Sequence, residues 1–452
     1  MAEIFNWARQ RNIAGVGTSY GPALAVFNGR LFAAWKGINN DQGIYWSSSD
    51  GRSWVNQQKI VGVGSSVGPS LAVFNNRLFA AWKGINTDQG IYWSSSDGNS
   101  WANQQKIAGV GTSVGPALAV FNNRLYAAWK GIHDDQGIYW SSFDGNSWAN
   151  QQKIAGVGTS VGPALAVFNN LLFAAWKGIN TDQGIYWSSF DGNSWANQQK
   201  IAGVGTSVGP SLAVFNNILF AAWKGINTDQ GIYWSSFDGS VWASQQIVSG
   251  VGTSVAPSLA AFNNLLYAAW KGMNFDQGIY WSLLFDVTGF SRNLGFVMQP
   301  QSQSNWCWSA VSVSTSKFYN SGSPWTQCSL ANQQLGQSTC CQNGDTPSCN
   351  HDWYLDRALN ETGNLDAYQP GSVSQIILEG DLIKNCPVGI HIGWRPPKTG
   401  VGHFVIIDGA MTSNSLLHVE DSLFGASDLT YNTLATNYQG AGTWTDTYFT
   451  KP

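Results

Sequence analysis

Cys307 lies in the stretch Pro300-Gln301-Ser302-Gln303-Ser304-Asn305-Trp306-Cys307-Trp308. The residues after it place small and apolar positions at helical spacing, which predicts a helix opening at the sulfur. A thiol at a helix N-terminus is stabilised as thiolate by N–H groups that lack intrahelical acceptors, so Cys307 is the candidate nucleophile. Gln301 precedes it by six residues, a distance from which a loop can bring a side-chain amide beside the sulfur as an oxyanion donor. Gln303 is its rival. Thiolate chemistry also needs an imidazole. Of the five histidines, His403 sits in Gly400-Val401-Gly402-His403-Phe404-Val405-Ile406-Ile407-Asp408-Gly409, a glycine-rich loop entering an apolar strand. His133 falls in a repeat loop, His351 in a polar turn, and His391 and His418 in alternating strands, where a structural role is the commoner one. Eighteen residues after His403, Val419-Glu420-Asp421-Ser422 reads as a strand ending in an acid. A hairpin of that length places Asp421 behind His403, able to hold its tautomer, with Glu420 on the opposite side.

Taken in order, Gln-x5-Cys-Trp, Gly-His-Phe-Val and Asp-Ser-x-Phe-Gly resemble the papain-like cysteine proteases over about residues 295 to 450. The resemblance is strongest to compact bacterial members related to bacteriocin-processing peptidases and plant-targeting effector proteases. It implies an α+β papain-like domain with Cys307 as nucleophile, His403 as general base and acid, Asp421 as orienting residue and Gln301 in the oxyanion hole. It also implies peptide-bond hydrolysis through a thioester, although transfer to an amine uses the same triad. Papain has Asn where Asp421 stands, and the compact relatives often have Pro where this chain has Ser422; neither departure removes a catalytic group. Ser374 to Asn385, leading into Cys386-Pro387-Val388, resembles the helix and strand that precede the catalytic histidine.

Five further cysteines, Cys328, Cys340, Cys341, Cys349 and Cys386, permit at most two disulfides with one thiol left over. Zinc is the competing reading of such a cluster. The chain has no Cys pair spaced by two residues, and His351 is the one nearby imidazole, so disulfides are favoured; no metal or cofactor is expected. Disulfides imply an oxidising compartment, hence a secreted, extracellular protein, while Met1 to Asn12 lack the apolar core of a secretory leader.

These elements occupy only the last third of the chain. All six cysteines lie between Cys307 and Cys386, and the charges divide at the same seam: 16 basic and 14 acidic residues up to Asp286, then 7 and 12. The expected division is a ring over 1–286, a linker over 287–298 and the papain-like domain over 299–452. Before the seam, Trp-Lys-Gly recurs every 47 residues, at Trp35, Trp82, Trp129, Trp176, Trp223 and Trp270. One unit, Gly162 to Ile201, reads GPALAVF, NN, LLFAAWKG, INTDQ, GIYWSSF, DGNS, WANQQKI. That is four short strands separated by Asn-Asn, an Asp-Gln loop and Asp-Gly, which matches a propeller blade. The last strand's Trp occurs at Trp7, Trp54, Trp101, Trp148, Trp195 and Trp242, so one copy precedes the first full repeat and the sixth repeat lacks its own. The N-terminal strand therefore completes the last blade, predicting an all-β six-bladed β-propeller with no open inner edge.

The ring's repeated loop carries an aromatic, an ammonium, a carboxylate and an amide, the chemical types that sugar recognition uses. The candidate glycan contacts are Trp35, Lys36, Asp41 and Gln42; Trp82, Lys83, Asp88 and Gln89; Trp129, Lys130, Asp135 and Gln136; Trp176, Lys177, Asp182 and Gln183; Trp223, Lys224, Asp229 and Gln230; and Trp270, Lys271, Asp276 and Gln277. The bland reading has Asp capping the turn and Lys covering an aromatic. Repeat length and architecture resemble β-propeller lectins of the tachylectin and fungal fucose-lectin type. Ser189 to Trp195 looks like a sialidase Asp box with one residue missing between Asp191 and Gly192, and Arg30, Arg52, Arg77 and Arg124 are spread over turns, so sialidase chemistry is set aside.

Composition narrows the remaining classes. Charged residues are 11% of the chain, too few for helical bundles, and glycine numbers 51. A net charge of −3 with no basic cluster argues against nucleic acid, and no run of eighteen apolar residues suggests a membrane span. The expected protein is a glycan-targeted cysteine protease acting on glycoproteins or peptides, its ring binding sugars multivalently. The alternatives are a non-enzymatic lectin, adhesin or toxin with a degenerate protease domain, and a protein-binding scaffold.

Overall fold

The computed structural model describes residues 5–395 and 402–452; Gly400 and Val401 of the approach to His403 lie outside the described residues. Two compact units are present: Gln10–Leu284, and Phe285–Pro452 together with the chain's start up to Arg9.

The first unit is the six-bladed propeller. In the fourth repeat the strands are Ala164–Phe168, Leu171–Lys177, Gly184–Phe190 and Gln199–Gly205, all antiparallel. Asn169 and Asn170 both take positive φ, 48° and 57°, the geometry of a type I′ hairpin that asparagine tolerates. At the third turn, Asp191 Oδ1 accepts from Asn193 N and Ser194 N while Gly192 sits at φ 107°, so the Asp-box look-alike is a turn device. The fourth strand starts at Gln199, later than the sequence suggests. Trp195 makes a single bridge to Phe190 and turns its ring toward Trp140 of the preceding blade.

The chain's start closes the ring. Arg11–Gly17 lies against Gly278–Asp286 with Arg11 opposite Trp281, Asn12 opposite Tyr280 and Gly17 opposite Gly278. The fourth repeat uses the same register, Gln199 opposite Trp187 and Lys200 opposite Tyr186. The first strands surround an axial cavity of about 410 Å³ lined by six prolines, among them Pro22, Pro69 and Pro116.

The second unit is α+β. Its elements are β1 (Ser291–Asn293), α1 (Cys307–Tyr319), α2 (Gln327–Leu335), α3 (Leu355–Glu361), β2 (Leu365–Pro370), α4 (Gln375–Ile383), β3 (Val388–Trp394), β4 (Gly402–Met411), β5 (Leu416–Glu420), β6 (Ser427–Thr430), α5 (Tyr431–Thr436) and β7 (Gly442–Thr450). The antiparallel sheet runs β2-β7-β3-β4-β5-β6, with β1 also on β4. α1 packs on β4, and its buried face is small: Ser309, Ala310, Ser312 and Thr315 are inaccessible to solvent. Two of those hydroxyls donate to the carbonyl one turn back, Ser312 to Trp308 and Thr315 to Val311, so they are buried without an unmet hydrogen bond. Trp306, Trp308, Leu330, Leu355, Phe404 and Ile406 form the core.

Two boundaries differ from expectation. Residues 287–298 are no free linker: β1 pairs with β4, Leu294 N donates to Asp408 O, and Phe296 and Met298 are buried in the core. Residues up to Arg9 group with the second unit, because the Arg9 guanidinium pairs with Asp366 and with Asp381 at 3.5 Å and lies 4.2 Å over the ring of Phe449. Both departures arise from long-range pairing that composition does not encode.

Candidate active site

Three elements of the second unit meet at one point. α1 opens on Cys307, which is buried to 8% exposure, and the preceding Trp306 supplies no side-chain cap to the helix. The first-turn N–H groups are thus left to act on the sulfur. β4 brings His403, its second residue, opposite Ile392 of β3. Asp421 follows the last residue of β5, which pairs with β4.

His403 Nε2 and Asp421 Oδ1 stand 2.8 Å apart. Cys307 is near enough to raise the imidazole's pKa, and with Nε2 engaged by Asp421 the nitrogen left for the sulfur is Nδ1. Asp421 is itself held by four donors. Besides His403, Leu423 N at 2.6 Å and Phe424 N at 3.0 Å reach Oδ1, and the Tyr438 hydroxyl donates to Oδ2. Trp394 stacks on the imidazole at 6.4 Å between centroids, and Phe424 meets it edge-on at 5.9 Å.

The electrostatics follow from these partners. Burial alone would lower the His403 pKa, but the hydrogen bonds to Asp421 and Cys307 and the charges of both push it up to about 9. Burial alone would raise Asp421; the hydrogen bonds from His403, Tyr438 and Leu423 hold it below the usual carboxylate range. Burial and then the bond to Asp421 push the Tyr438 phenol up. An imidazolium beside the sulfur at neutral pH is the partner a thiolate requires.

Gln301 is half-buried and close by, in a tighter setting than expected. Its Nε2 donates to Gln303 O at 3.0 Å and Ser304 O at 2.8 Å, so both amide hydrogens serve the turn leading to α1. An oxyanion must displace one of them. Gln303 lies near Gly344 and Trp306. Three other histidines have partners elsewhere, His133 between blades, His351 at the carbonyl of Asp352 and His418 at Asp428, while His391 lies opposite Phe404, next to His403, and pairs with Thr445 and Asp446. Tyr438, which no local signal marks, is the residue that sequence reading missed.

Cysteine pairing is as expected in number. Cys328–Cys341 and Cys340–Cys349 are disulfides, while Cys307 and Cys386 are not paired. The second disulfide steadies the turn before Cys307: Cys349 O accepts from Trp306 Nε1 at 2.7 Å, and Asn350 Oδ1 from Asn305 N at 3.0 Å.

The proposed glycan contacts of the ring are corrected by burial and bonding. Trp35, Trp82, Trp129, Trp176, Trp223 and Trp270 are all 0% exposed and present no face to a ligand. Lys36, Lys83, Lys130, Lys177, Lys224 and Lys271 are buried too; Lys177 Nζ donates to Ser160 Oγ at 2.7 Å and to Asn180 O at 3.2 Å, a pattern the other five repeat. Asp182 accepts from Gly184 N and Tyr186 OH, each at 2.8 Å, as do Asp41, Asp88, Asp135, Asp229 and Asp276 in their own repeats. A methyl on Gly178 would lie 2.4 Å from Asp182 Oδ2, which explains the Lys-Gly pair.

The glutamines are couplers between blades. Gln42 grips Asn86, Gln136 grips Asn180, Gln183 grips Asn227, Gln230 grips Asn274, and Gln277 closes the circle on Asn39, each through side-chain and backbone bonds. Gln89 does the same to His133. The bland reading of this loop is therefore the one its geometry supports.

A different concavity lies between blades. A groove of about 600 Å³ is lined by Trp93, Gln105, Lys106, Phe143, Asn146, Trp148 and Gln151. Its indoles meet edge to face at 6.4 Å, and Trp46–Trp101, Trp140–Trp195 and Trp187–Trp242 repeat the pair. Lys59, Lys153 and Lys200 repeat Lys106; Ile247 and Asn12 replace it in blades five and six.

No protein-family model matches the sequence, and no curated protein does. Among solved structures, a protein of unknown function from Dyadobacter fermentans is 12% identical with a TM-score of 0.47, over 61% of this chain and 99% of its own. AofleA from Arthrobotrys oligospora is 9% identical (0.48; 63% and 87%). The Aleuria aurantia lectin, crystallised with a fucosyl-GlcNAc disaccharide, is 13% identical (0.42; 56% and 88%). Likeness at this level bears on neither ligand nor reaction.

Proposed function

We propose that the second unit is a papain-like cysteine hydrolase of peptide bonds and that the ring is a carbohydrate-binding module. The observation that carries the hydrolase reading is His403 standing between the Cys307 thiol and the Asp421 carboxylate, with its pKa pushed up to about 9. In this mechanism the Cys307 thiolate attacks the carbonyl carbon, and the oxyanion forms at the N-terminus of α1. His403 passes its proton to the departing amine as the C–N bond breaks. The neutral imidazole then takes a proton from water, which attacks the thioester and releases the acid, restoring the thiolate beside the imidazolium. Throughout, Asp421 holds the ring so that Nδ1 faces sulfur.

The carbohydrate reading is supported by the inter-blade grooves, which combine indole surface with ammonium and amide groups in a volume typical of small-ligand sites. The two disulfides favour action in an oxidising, extracellular setting. A casein and glycoprotein panel, incubated with wild type and Cys307→Ala, tests the hydrolase: cleavage is expected from the wild type alone, and cleavage by both or by neither counts against it. Glycan-array binding tests the ring.

The second reading is a lectin or adhesin whose C-terminal unit has lost turnover. It is favoured by one observation, the engagement of both Gln301 amide hydrogens inside their own turn. Labelling of Cys307 by iodoacetamide without cleavage of any substrate, together with glycan capture, is its signature.

A further inference from the structure

Ser422 follows the triad carboxylate directly and is buried to 6% exposure. It is bonded twice to Gln301, on the far side of the site: its hydroxyl donates to Gln301 Oε1 at 3.0 Å, and its carbonyl accepts from Gln301 N at 3.1 Å. Gln301 Oε1 is thereby committed to the loop after β5. Its Nε2 is committed in the opposite direction, to the carbonyls of Gln303 and Ser304. Gln303 O accepts simultaneously from Trp306 N at 3.1 Å, in the turn that ends at Cys307.

A primary amide has two chemically opposite ends, and nothing in its shape decides which faces where. Here the Gln303 and Ser304 carbonyls draw Nε2, and the Ser422 hydroxyl holds Oε1 from the other end. If Oε1 turned toward the nucleophile's turn, it would face the Gln303 and Ser304 carbonyls acceptor to acceptor and place a lone pair where an oxyanion forms. Loss of the Ser422 hydroxyl removes, among the described residues, the side-chain donor to Oε1.

We propose that Ser422 is a positioning residue, whose hydroxyl braces the Gln301 amide at Oε1 and so ties the carboxylate loop to the turn that presents Cys307. It rests on the hydrolase reading for its catalytic consequence, but the brace itself is testable without turnover.

In full-length protein with ¹⁵N-labelled glutamine, the Gln301 side-chain NH₂ signal is assigned by its loss in Gln301→Ala. It should exchange slowly with solvent in wild type, at least ten-fold faster in Ser422→Ala, and slowly again in Ser422→Thr, which keeps the hydroxyl. Equal exchange in wild type and Ser422→Ala overturns the brace, whether or not the protein turns over. On a cleaved casein peptide, Gln301→Ala should lower kcat by roughly 10²-fold, the scale of a lost oxyanion donor. Ser422→Ala should lower kcat about ten-fold with KM little changed, Ser422→Thr should recover most of it, and the double variant should be no worse than Gln301→Ala alone. The pH profile of Cys307 alkylation should not move, because the thiol and imidazole are untouched. Multiplying losses, or a shifted alkylation profile, overturn the positioning role. Slow wild-type exchange with no turnover of any substrate leaves the brace standing and removes the hydrolase instead.

Discussion

At the residue scale, His403 is the group whose surroundings say most. Its pKa is raised from 6.5 to about 9, so the proton it binds contributes stability that is fully present below pH 6.5 and is lost as pH rises through 9. Denaturant melts of the second unit should therefore weaken across that window, and much less so in His403→Ala. Alkylation of Cys307 should stay fast from neutral pH to a limb near 9; in Asp421→Asn that limb should move to lower pH, since the first raising partner is weakened. An unmoved limb would show that Asp421 does not act on the imidazole. Tyr438 tests the next contact outward. Tyr438→Phe leaves Asp421 Oδ2 without its donor and should cost about 1–3 kcal/mol in urea melts, with a several-fold lower kcat. The Cys, His and Asp of this site were legible because each sits in a short context that reveals its element: a helix start, a strand entry, a strand end. Tyr438 was not, because it lies 17 residues after its partner in a turn with no pattern of its own.

At the element scale, the repeated loop shows how the same residue types serve structure or ligand depending on burial. Lys177→Met removes the donor to Ser160 Oγ and Asn180 O, leaving part-buried acceptors unmet. It should destabilise the ring by about 1–3 kcal/mol without changing ligand binding. Lys106→Ala is the opposite case: the side chain is exposed in a groove, so the melt should hold while glycan capture weakens. Because Ile247 and Asn12 replace the lysine in two blades, titration should saturate near four equivalents rather than six; six equal sites would count against the groove assignment. Trp, Lys, Asp and Gln looked alike as ligands in sequence because composition reports chemical type and is silent on depth. Only the ladder register shows that Trp176 is sealed between strands and that Gln183 reaches the next blade.

At the scale of the whole molecule, the ring depends on its first strand. Removing residues 1–17 takes away the fourth strand of the last blade and the closure across Arg11, Asn12 and Gly17, leaving the third strand of that blade unpaired on one side. The truncated protein should lose its cooperative melt and aggregate, whereas Cys307→Ala should melt and bind glycans as the wild type does. Six blades, the strand order within each and the closing strand were all readable in advance, because a 47-residue repeat with alternating strands and Asn-Asn and Asp-Gly turns admits one way to bury its tryptophans. The candidate triad was readable too, from local context and chain order. Tertiary structure alone decided which repeated side chains are out of a ligand's reach, that Ser291–Asn293 within 287–298 pair with the sheet, and that Ser422 and Tyr438 belong to the site. The reason is common to all of them. Periodicity and turn chemistry act between neighbours in the chain, whereas burial and hydrogen-bond partnership are set by residues 17, 44 or 121 positions away that meet only when the sheets close.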